Sequence, residues 1–362
     1  MAEPTILIVG AGPTGLTAAL ELARQDRRAR IIDKDEGPTQ LSKAVGISAH
    51  SLDLLEPSGV TERLLAKGIR VSRAHFYFEG RELGIIRFAG LPHRFNFLLS
   101  LPQADTETIM AEILAEQGIA VEWRNELSGL SVSGSRLDCK LQTPSGERTE
   151  QYDTVFGADG ARSAVRQAIG LGFDGYTHER TWSIADVELA EWPYEAEAAH
   201  AFLHGNGDVG FIIPIGPNRH RAVSNTPDAM ARIPGRYRIA KTLIADTFPL
   251  PIRQAPTYQK NGVFLGGDAA HVHSPLGARG MNLGIEDAAA FARRLAGGTL
   301  DGYTAERRPI GKRWIGLSES ILSMAEADNP LVIALRNLVL RAIGRWPRLQ
   351  GPMLKRVSGL VE

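Results

Sequence analysis

Short apolar runs and helical periodicity alternate from the start of the chain. Thr5 to Val9 is a run of apolar and β-branched residues that predicts a buried strand, and it ends in Gly10-Ala11-Gly12-Pro13-Thr14-Gly15. Leu16, Ala19, Leu20 and Ala23 then recur at helical spacing, and Ile31-Ile32 forms a second short apolar strand closed by Asp33. Strand, glycine turn, helix and strand within about 30 residues is the size of a dinucleotide-binding βαβ unit.

Further along, Ile109, Ile113 and Leu114 mark one face of a helix that Asp105 or Thr106 would cap, with Glu107 in its first turn and Gly118 at its end. Strand-like runs follow at 119–124, 127–132, 136–142 and 152–156, separated by Ser/Gly-rich turns, and predict a small antiparallel meander. Residues 176–260 are rich in proline and aromatics, with short strands such as Gly210 to Ile213 and helical periodicity first at about 237–246. After the apolar Val263-Phe264-Leu265 comes a glycine-rich loop that opens a helix over 281–295.

The predicted class is α/β. A Rossmann-type nucleotide-binding fold is expected in three parts, 1–70, 101–175 and 261–325. The excursions 71–100 and 176–260 would build a smaller substrate-side β-sheet domain, and 326–362 a C-terminal helical tail. No internal repeat or low-complexity tract interrupts this plan.

Composition narrows the partners. A chain of 362 residues is comfortable for two domains, and Lys+Arg and Asp+Glu are equal at 41 each, so no global field favours nucleic acid. Cys139 is the single cysteine, which excludes an intrachain disulfide or a cysteine-rich cluster and suits a reducing cytoplasm. The opening residues lack a basic, then long apolar, secretory pattern, and no stretch approaches the roughly 20 apolar residues of a membrane span, so a soluble protein is expected.

The glycines have separable tasks. Gly10 would make the tight turn, Gly12 would let the backbone approach a pyrophosphate, and Gly15 would let the helix pack on the strand. The helix N-terminus, opened by Pro13 and Thr14, favours an anion, and Asp33, with Lys34 beside it, stands where a ribose hydroxyl would be met. A merely structural turn is the bland alternative.

Two later segments make the pattern more selective: Gly157-Ala158-Asp159-Gly160-Ala161-Arg162-Ser163 and Gly266-Gly267-Asp268-Ala269-Ala270-His271. With Leu101 to Glu107, Pro275, Gly280-Met281-Asn282, Tyr303 and Glu306-Arg307-Arg308-Pro309, the chain resembles the single-component FAD-dependent aromatic hydroxylases related to para-hydroxybenzoate hydroxylase, over about residues 4–310. The resemblance implies that Asp268, beside Gly267, binds the FAD ribityl chain and that the loop from Pro275 to Asn282 passes the isoalloxazine ring. It implies that the segment around Asp159 helps bind FAD and NAD(P)H, with Asp159 in a structural hydrogen-bonding role, and that Gln103 contacts the ribityl or phosphate region of the flavin. Capping of neighbouring helices is the plainer role for Asp159 and Asp268. Two positions depart from the family. Lys43 stands where arginine is common, and Arg279 replaces glutamine in the loop near the flavin, where it would either lie beside the ring or form a surface ion pair.

The resemblance also implies the reaction: NADH or NADPH reduces FAD, O2 forms a flavin hydroperoxide, and one oxygen atom passes to an aromatic or polyketide-like molecule. A related quinone-pathway hydroxylase, epoxidase or prenyl-chain reductase, or a non-catalytic flavin redox sensor, are the alternatives. A general base would help a phenol react, and His75, His93, His200, His204 and His220 lie in the segments expected to face substrate. Phe76, Tyr77, Phe78, Phe95, Phe97, Phe202 and Phe211 would line an apolar pocket or simply pack as core. His271 and His273 have no third ligand, so no metal is expected. The tail carries Arg336, Arg341, Arg345, Arg348, Lys355 and Arg356 among leucines, and the expectation is helices folded on the FAD domain rather than a membrane contact. The resemblance implies a thioredoxin-like C-terminal domain in longer relatives, and none is expected within these 362 residues. A monomer or homodimer is expected.

Overall fold

The computed structural model describes residues 5–39 and 44–361. Its first sheet has five strands in the order Gln259–Lys260, Val263–Leu265, Thr154–Gly157, Ile6–Val9, Ala29–Ile32. All pair in parallel except the edge strand Gln259–Lys260. Val9 is level with both Ile32 and Gly157, and Gly157 is level with Leu265. The three aspartate- or glycine-bearing loops therefore leave adjacent strands at the same carboxyl edge, where open α/β sheets bind ligands.

The helix Pro13–Ala23 is buried along most of its length and packs against Gly280–Ala296. The helix Gln103–Glu116 begins earlier than the sequence suggested. Pro102 occupies its N-cap without a side-chain bond. Asp105 instead pairs with Lys67 at 2.7 Å, and the Thr106 hydroxyl donates to the Pro102 carbonyl at 3.3 Å, so neither is the cap.

The expected strand at 119–124 is not formed. A single bridge joins Glu122 to Ile32, and the antiparallel sheet is built from Glu126–Ser133, Arg136–Thr143 and Gly146–Tyr152. Residues 154–157 belong to the parallel sheet.

The second large sheet has seven strands in the order Arg238–Phe248, Trp182–Glu191, Arg219–Ser224, Val209–Gly216, Ala198–Leu203, Arg73–Phe78, Arg81–Arg87. Periodicity predicts a helix over about 237–246, but residues 238–248 form the edge strand of this sheet, with bulges against 182–191. Most of that strand is exposed, so no period-two alternation marked it.

Alternation divides the sheet into two faces. Tyr77, Val187, Phe202, Ile212 and Ala222 pack beneath Trp192, Tyr194 and Tyr237 on one side. On the other, Ile184, Leu203, Val209, Phe78 and Phe211 pack with Leu276 and with Leu322 of the long helix Tyr303–Ala325.

The tail departs from expectation in part. Pro330–Arg345 lies on the edge strand Arg81–Arg87 of the seven-stranded sheet rather than on the nucleotide fold. A Cβ on Gly84 would stand 2.8 Å from the Leu340 carbonyl oxygen, so the two backbones touch. Gln350–Val357 does reach the first domain, through Leu354 in its core and the Ser358 carbonyl, which accepts from the His50 amide at 3.1 Å.

Candidate functional site

The glycine turn after Ile6–Val9 has two closed positions and one open one. Gly10 adopts φ +103°, and a Cβ on it would stand 2.4 Å from the Ala158 carbonyl oxygen. A Cβ on Gly15 would stand 1.9 Å from the Gly10 oxygen. At Gly12 the nearest atom is Glu107 Oε1 at 3.9 Å. Gly12 is also the N-cap of the helix that starts at Pro13, and no side chain caps it. Open space next to unpaired helix amides fits a phosphate group. Asp33 steadies the turn by accepting from the Ala11 amide at 2.6 Å and the Asp35 amide at 2.9 Å. Lys34 is exposed. Lys43 lies outside the described residues.

The Gly266–Asp268 segment interlocks with this turn. Gly267 has φ +58°, and Cβ atoms on Gly267 and Gly284 would stand 2.5 and 2.2 Å from Thr14 Oγ1. The Gly267 amide donates to Asp287 at 3.0 Å, and Asp287 also meets His271 at 2.7 Å and the Arg307 guanidinium at 2.6 Å. Burial pushes the Asp287 carboxyl upward, but Arg307 and His271 outweigh it and hold the group below the usual range. Asp268 stands exposed at the same strand end. Among the described residues, no group of three or more His, Cys, Asp or Glu is arranged to hold a metal.

The Asp159 loop closes the third side. Its carboxylate accepts from the Ser163 hydroxyl at 2.5 Å and the Val165 amide at 3.0 Å, while Ser163 caps the helix Ala164–Ala168. The capping reading thus has direct geometry. Burial pushes the Asp159 carboxyl up, with Ser163 and Val165 opposing. Arg166, unremarked in the sequence, donates to the Ala269 and Ala161 carbonyls at 2.9 Å each and ties the two aspartate loops together.

Gln103 and Glu107 lie beside Gly12. The Gln103 amide nitrogen donates to the Ala44 carbonyl at 3.1 Å and its Nε2 to Glu107 at 2.8 Å, and Glu107 accepts from the Thr39 amide at 2.9 Å. Burial pushes the Glu107 carboxyl up, so its negative charge is disfavoured next to the open position at Gly12.

The loop from Pro275 to Asn282 is pinned by Asn282. Its Nδ2 donates to the Gly46 carbonyl at 2.9 Å and the Ala278 carbonyl at 2.6 Å, and its Oδ1 accepts from the Ser48 amide at 2.8 Å. Pro275 is exposed, and Gly280 and Met281 are half-buried. Arg279 does not form the surface ion pair. It is buried, pairs with Glu286, donates to Ser48 Oγ at 3.3 Å and lies 4.8 Å over the Trp314 ring. A guanidinium in such a pair carries little uncompensated charge toward the loop.

Facing this region across the domain boundary is a pair that sequence reading missed. Arg221 donates to Asp186 at 2.7 and 2.8 Å, both nearly fully buried, and its remaining nitrogen lies 3.4 Å from the Ala44 carbonyl. The two are Cα partners on adjacent strands.

The histidine expectations are corrected. His75, His200 and His220 sit on the opposite face, among Tyr77, Trp192 and Tyr194. His93 bonds Asp53 at 2.8 Å, and His204 bonds the Arg232 carbonyl at 3.1 Å. The aromatics split likewise. Tyr77 and Phe202 lie on the far face, Phe95 and Phe97 in the main core, and Phe78 and Phe211 on the side of Leu276.

A family model described as "FAD binding domain" matches residues 3–318. The chain belongs to that family. FAD is its cofactor, and its relatives are named monooxygenases. It is 34% identical over 93% of its length to 6-methylpretetramide 4-monooxygenase of Streptomyces rimosus, and 30% identical over 86% to pentachlorophenol 4-monooxygenase of Sphingobium chlorophenolicum. The matches span 63% of each relative. Among solved structures, p-nitrophenol 4-monooxygenase of Pseudomonas putida DLL-E4 superposes with TM-score 0.88 at 20% identity, covering 97% of this chain and 96% of that one. Anhydrotetracycline hydroxylase of Streptomyces rimosus gives 0.83 at 25%, covering 99% and 76%. The Rossmann-type FAD fold with a substrate-side sheet follows from these likenesses.

Proposed function

We propose that this protein is an NAD(P)H-dependent FAD monooxygenase that inserts one oxygen atom from O2 into an aromatic or polyketide-like small molecule. The observation that carries the reading is the meeting of the Gly12, Asp159 and Gly267 loops at one sheet edge, opposite the Phe211 side of the second sheet. Reduced FAD would supply the oxygen-activating chemistry, with NADH or NADPH as the electron source.

The chain's own residues would bind and orient. Gly10, Gly12, Pro13, Thr14 and Gly15 would receive the pyrophosphate, with Asp33 and Lys34 at the adenosine ribose. Gln103, Asp159, Gly267 and Asp268 would hold the rest of the FAD chain. Pro275, Gly280, Met281 and Asn282 would border the reactive ring. Segments 1–70, 101–175 and 261–325 would carry the cofactor, and 71–100 and 176–260 the substrate face. Packing of Phe78, Phe211 and Leu276 would keep water from the reacting atoms. Two relatives are named as monooxygenases of 6-methylpretetramide and of pentachlorophenol, which supports an apolar aromatic substrate.

The test starts with a visible spectrum of the purified protein. Flavin bands should be present, and NAD(P)H oxidation should rise when a phenol or polycyclic polyketide from a small panel is added. The product should be heavier by one oxygen. A flavin-bearing protein that reduces its substrate anaerobically, adding hydrogen and no oxygen, would overturn the reading.

A further inference from the structure

We propose that the helix Pro330–Arg345, with the turn and short helix after it, is a docking surface for an anionic phospholipid bilayer. The outer side of this helix is apolar and open: Leu331 is 81% exposed, Leu335 57% and Leu338 63%, and Trp346 just beyond is 57% exposed. Its inner side is fixed. Ile333 is buried, and Arg336, also buried, donates to the Met324 and Ala325 carbonyls at 3.2 and 3.0 Å. The contact of Gly84 with Leu340 and Gly344 leaves no room to roll the helix. The leucines therefore cannot turn inward. At 3.6 residues per turn they form, with Val332 and Val339, a stripe about 120° wide.

Charge selects the occupant. Arg341 and Arg345 border one edge of that stripe at helical spacing, and Arg348, Lys355 and Arg356 in the turn and short helix beyond are also exposed. No aspartate or glutamate occurs between Asp328 and Glu362. A second copy meeting this face would set cation against cation. One helix pair would also bury less than the roughly 800 Å² per partner of a stable interface. A negatively charged bilayer needs no residue-by-residue register. It accepts the leucines in its acyl boundary, while arginines and the Trp346 ring suit the headgroup level. The surface would lie on the membrane, since among the described residues no helix is long and apolar enough to cross one.

The FAD-loaded chain should be floated with vesicles of phosphatidylcholine alone or with about one-third phosphatidylglycerol. Binding should be at least tenfold greater to the anionic vesicles and should fall in high salt. Arg341→Gln/Arg345→Gln/Arg348→Gln should lower it at least tenfold, and Leu335→Asp/Leu338→Asp should abolish it, with bound FAD retained in both variants. Failure to bind, equal binding to both vesicles, or insensitivity to salt would overturn the proposal. So would a concentration-dependent dimer in sedimentation that Leu335→Asp/Leu338→Asp dissociates, which assigns the face to a second copy.

Discussion

Arg221 and Asp186 face each other in register across adjacent strands, joined by two hydrogen bonds of 2.7 and 2.8 Å and shielded from water on every side. Removing one partner strands the other's charge in a low-dielectric interior, which typically costs about 3–5 kcal/mol. Asp186→Ala should therefore lower unfolding stability by about 3–5 kcal/mol in urea denaturation. Replacing both residues, as in Asp186→Leu/Arg221→Met, should recover most of that loss. If the double variant is as unstable as the single one, the penalty comes from lost packing and not from the orphaned charge.

Gly12 and Gly267 test different things. Alanine at Gly12 meets nothing closer than 3.9 Å and keeps an ordinary backbone conformation, with φ −72°. Gly12→Ala should cost the apo-protein no more than about 1 kcal/mol, the usual loss when alanine replaces a favourable N-cap residue. Its methyl would stand where the proposed pyrophosphate approaches the backbone, so FAD affinity by fluorescence titration should drop at least tenfold. Gly267→Ala combines φ +58° with a 2.5 Å approach to Thr14 Oγ1 and should cost about 2–4 kcal/mol of stability. An apo-protein equally damaged by both changes would show that Gly12 is structural.

The parts legible in the sequence were those with local causes. The tight turn, the close helix–strand approach and Asp33 each announce themselves within one βαβ unit. What could not be read was pairing and facing. Asp186 and Arg221 lie 35 positions apart, and no local rule sets their strands side by side. His75 and Phe76 occupy opposite faces by simple alternation, but which face looks toward the cofactor depends on how two sheets pack. The strand 238–248 was misread because tertiary pairing with 182–191 overrode a helix-like spacing of Ile239, Leu243 and Ile244.

Cys139 packs between strands with Leu137 and Leu141 in the main core. Burial pushes its thiol up to about 12. Since the thiolate is the nucleophile, the native protein should react with a thiol reagent at pH 8 roughly a thousandfold more slowly than a free cysteine. The same reagent should titrate one thiol promptly in denaturant. Prompt reaction in native buffer would mean that this part of the core opens readily.

His200 offers a test by pH. Its Nε2 donates to the Glu195 carbonyl at 2.8 Å, leaving Nδ1 to accept from the Tyr77 hydroxyl at 3.3 Å, which is the neutral tautomer. Burial is the largest cause of its lowered pKa, about 4 against 6.5, and His75 and His220 nearby add to it. Below 6.5 the unfolded chain binds this proton before the folded one does, so stability falls as pH drops from about 6.5 toward 4. The full effect is about 3 kcal/mol. His200→Gln keeps a donor for the Glu195 carbonyl and does not titrate in this range. Stability from urea unfolding should therefore decline less steeply in the variant than in the parent between those pH values. Parallel decline of the two would show that His200 is already protonated in the fold or exposed to water.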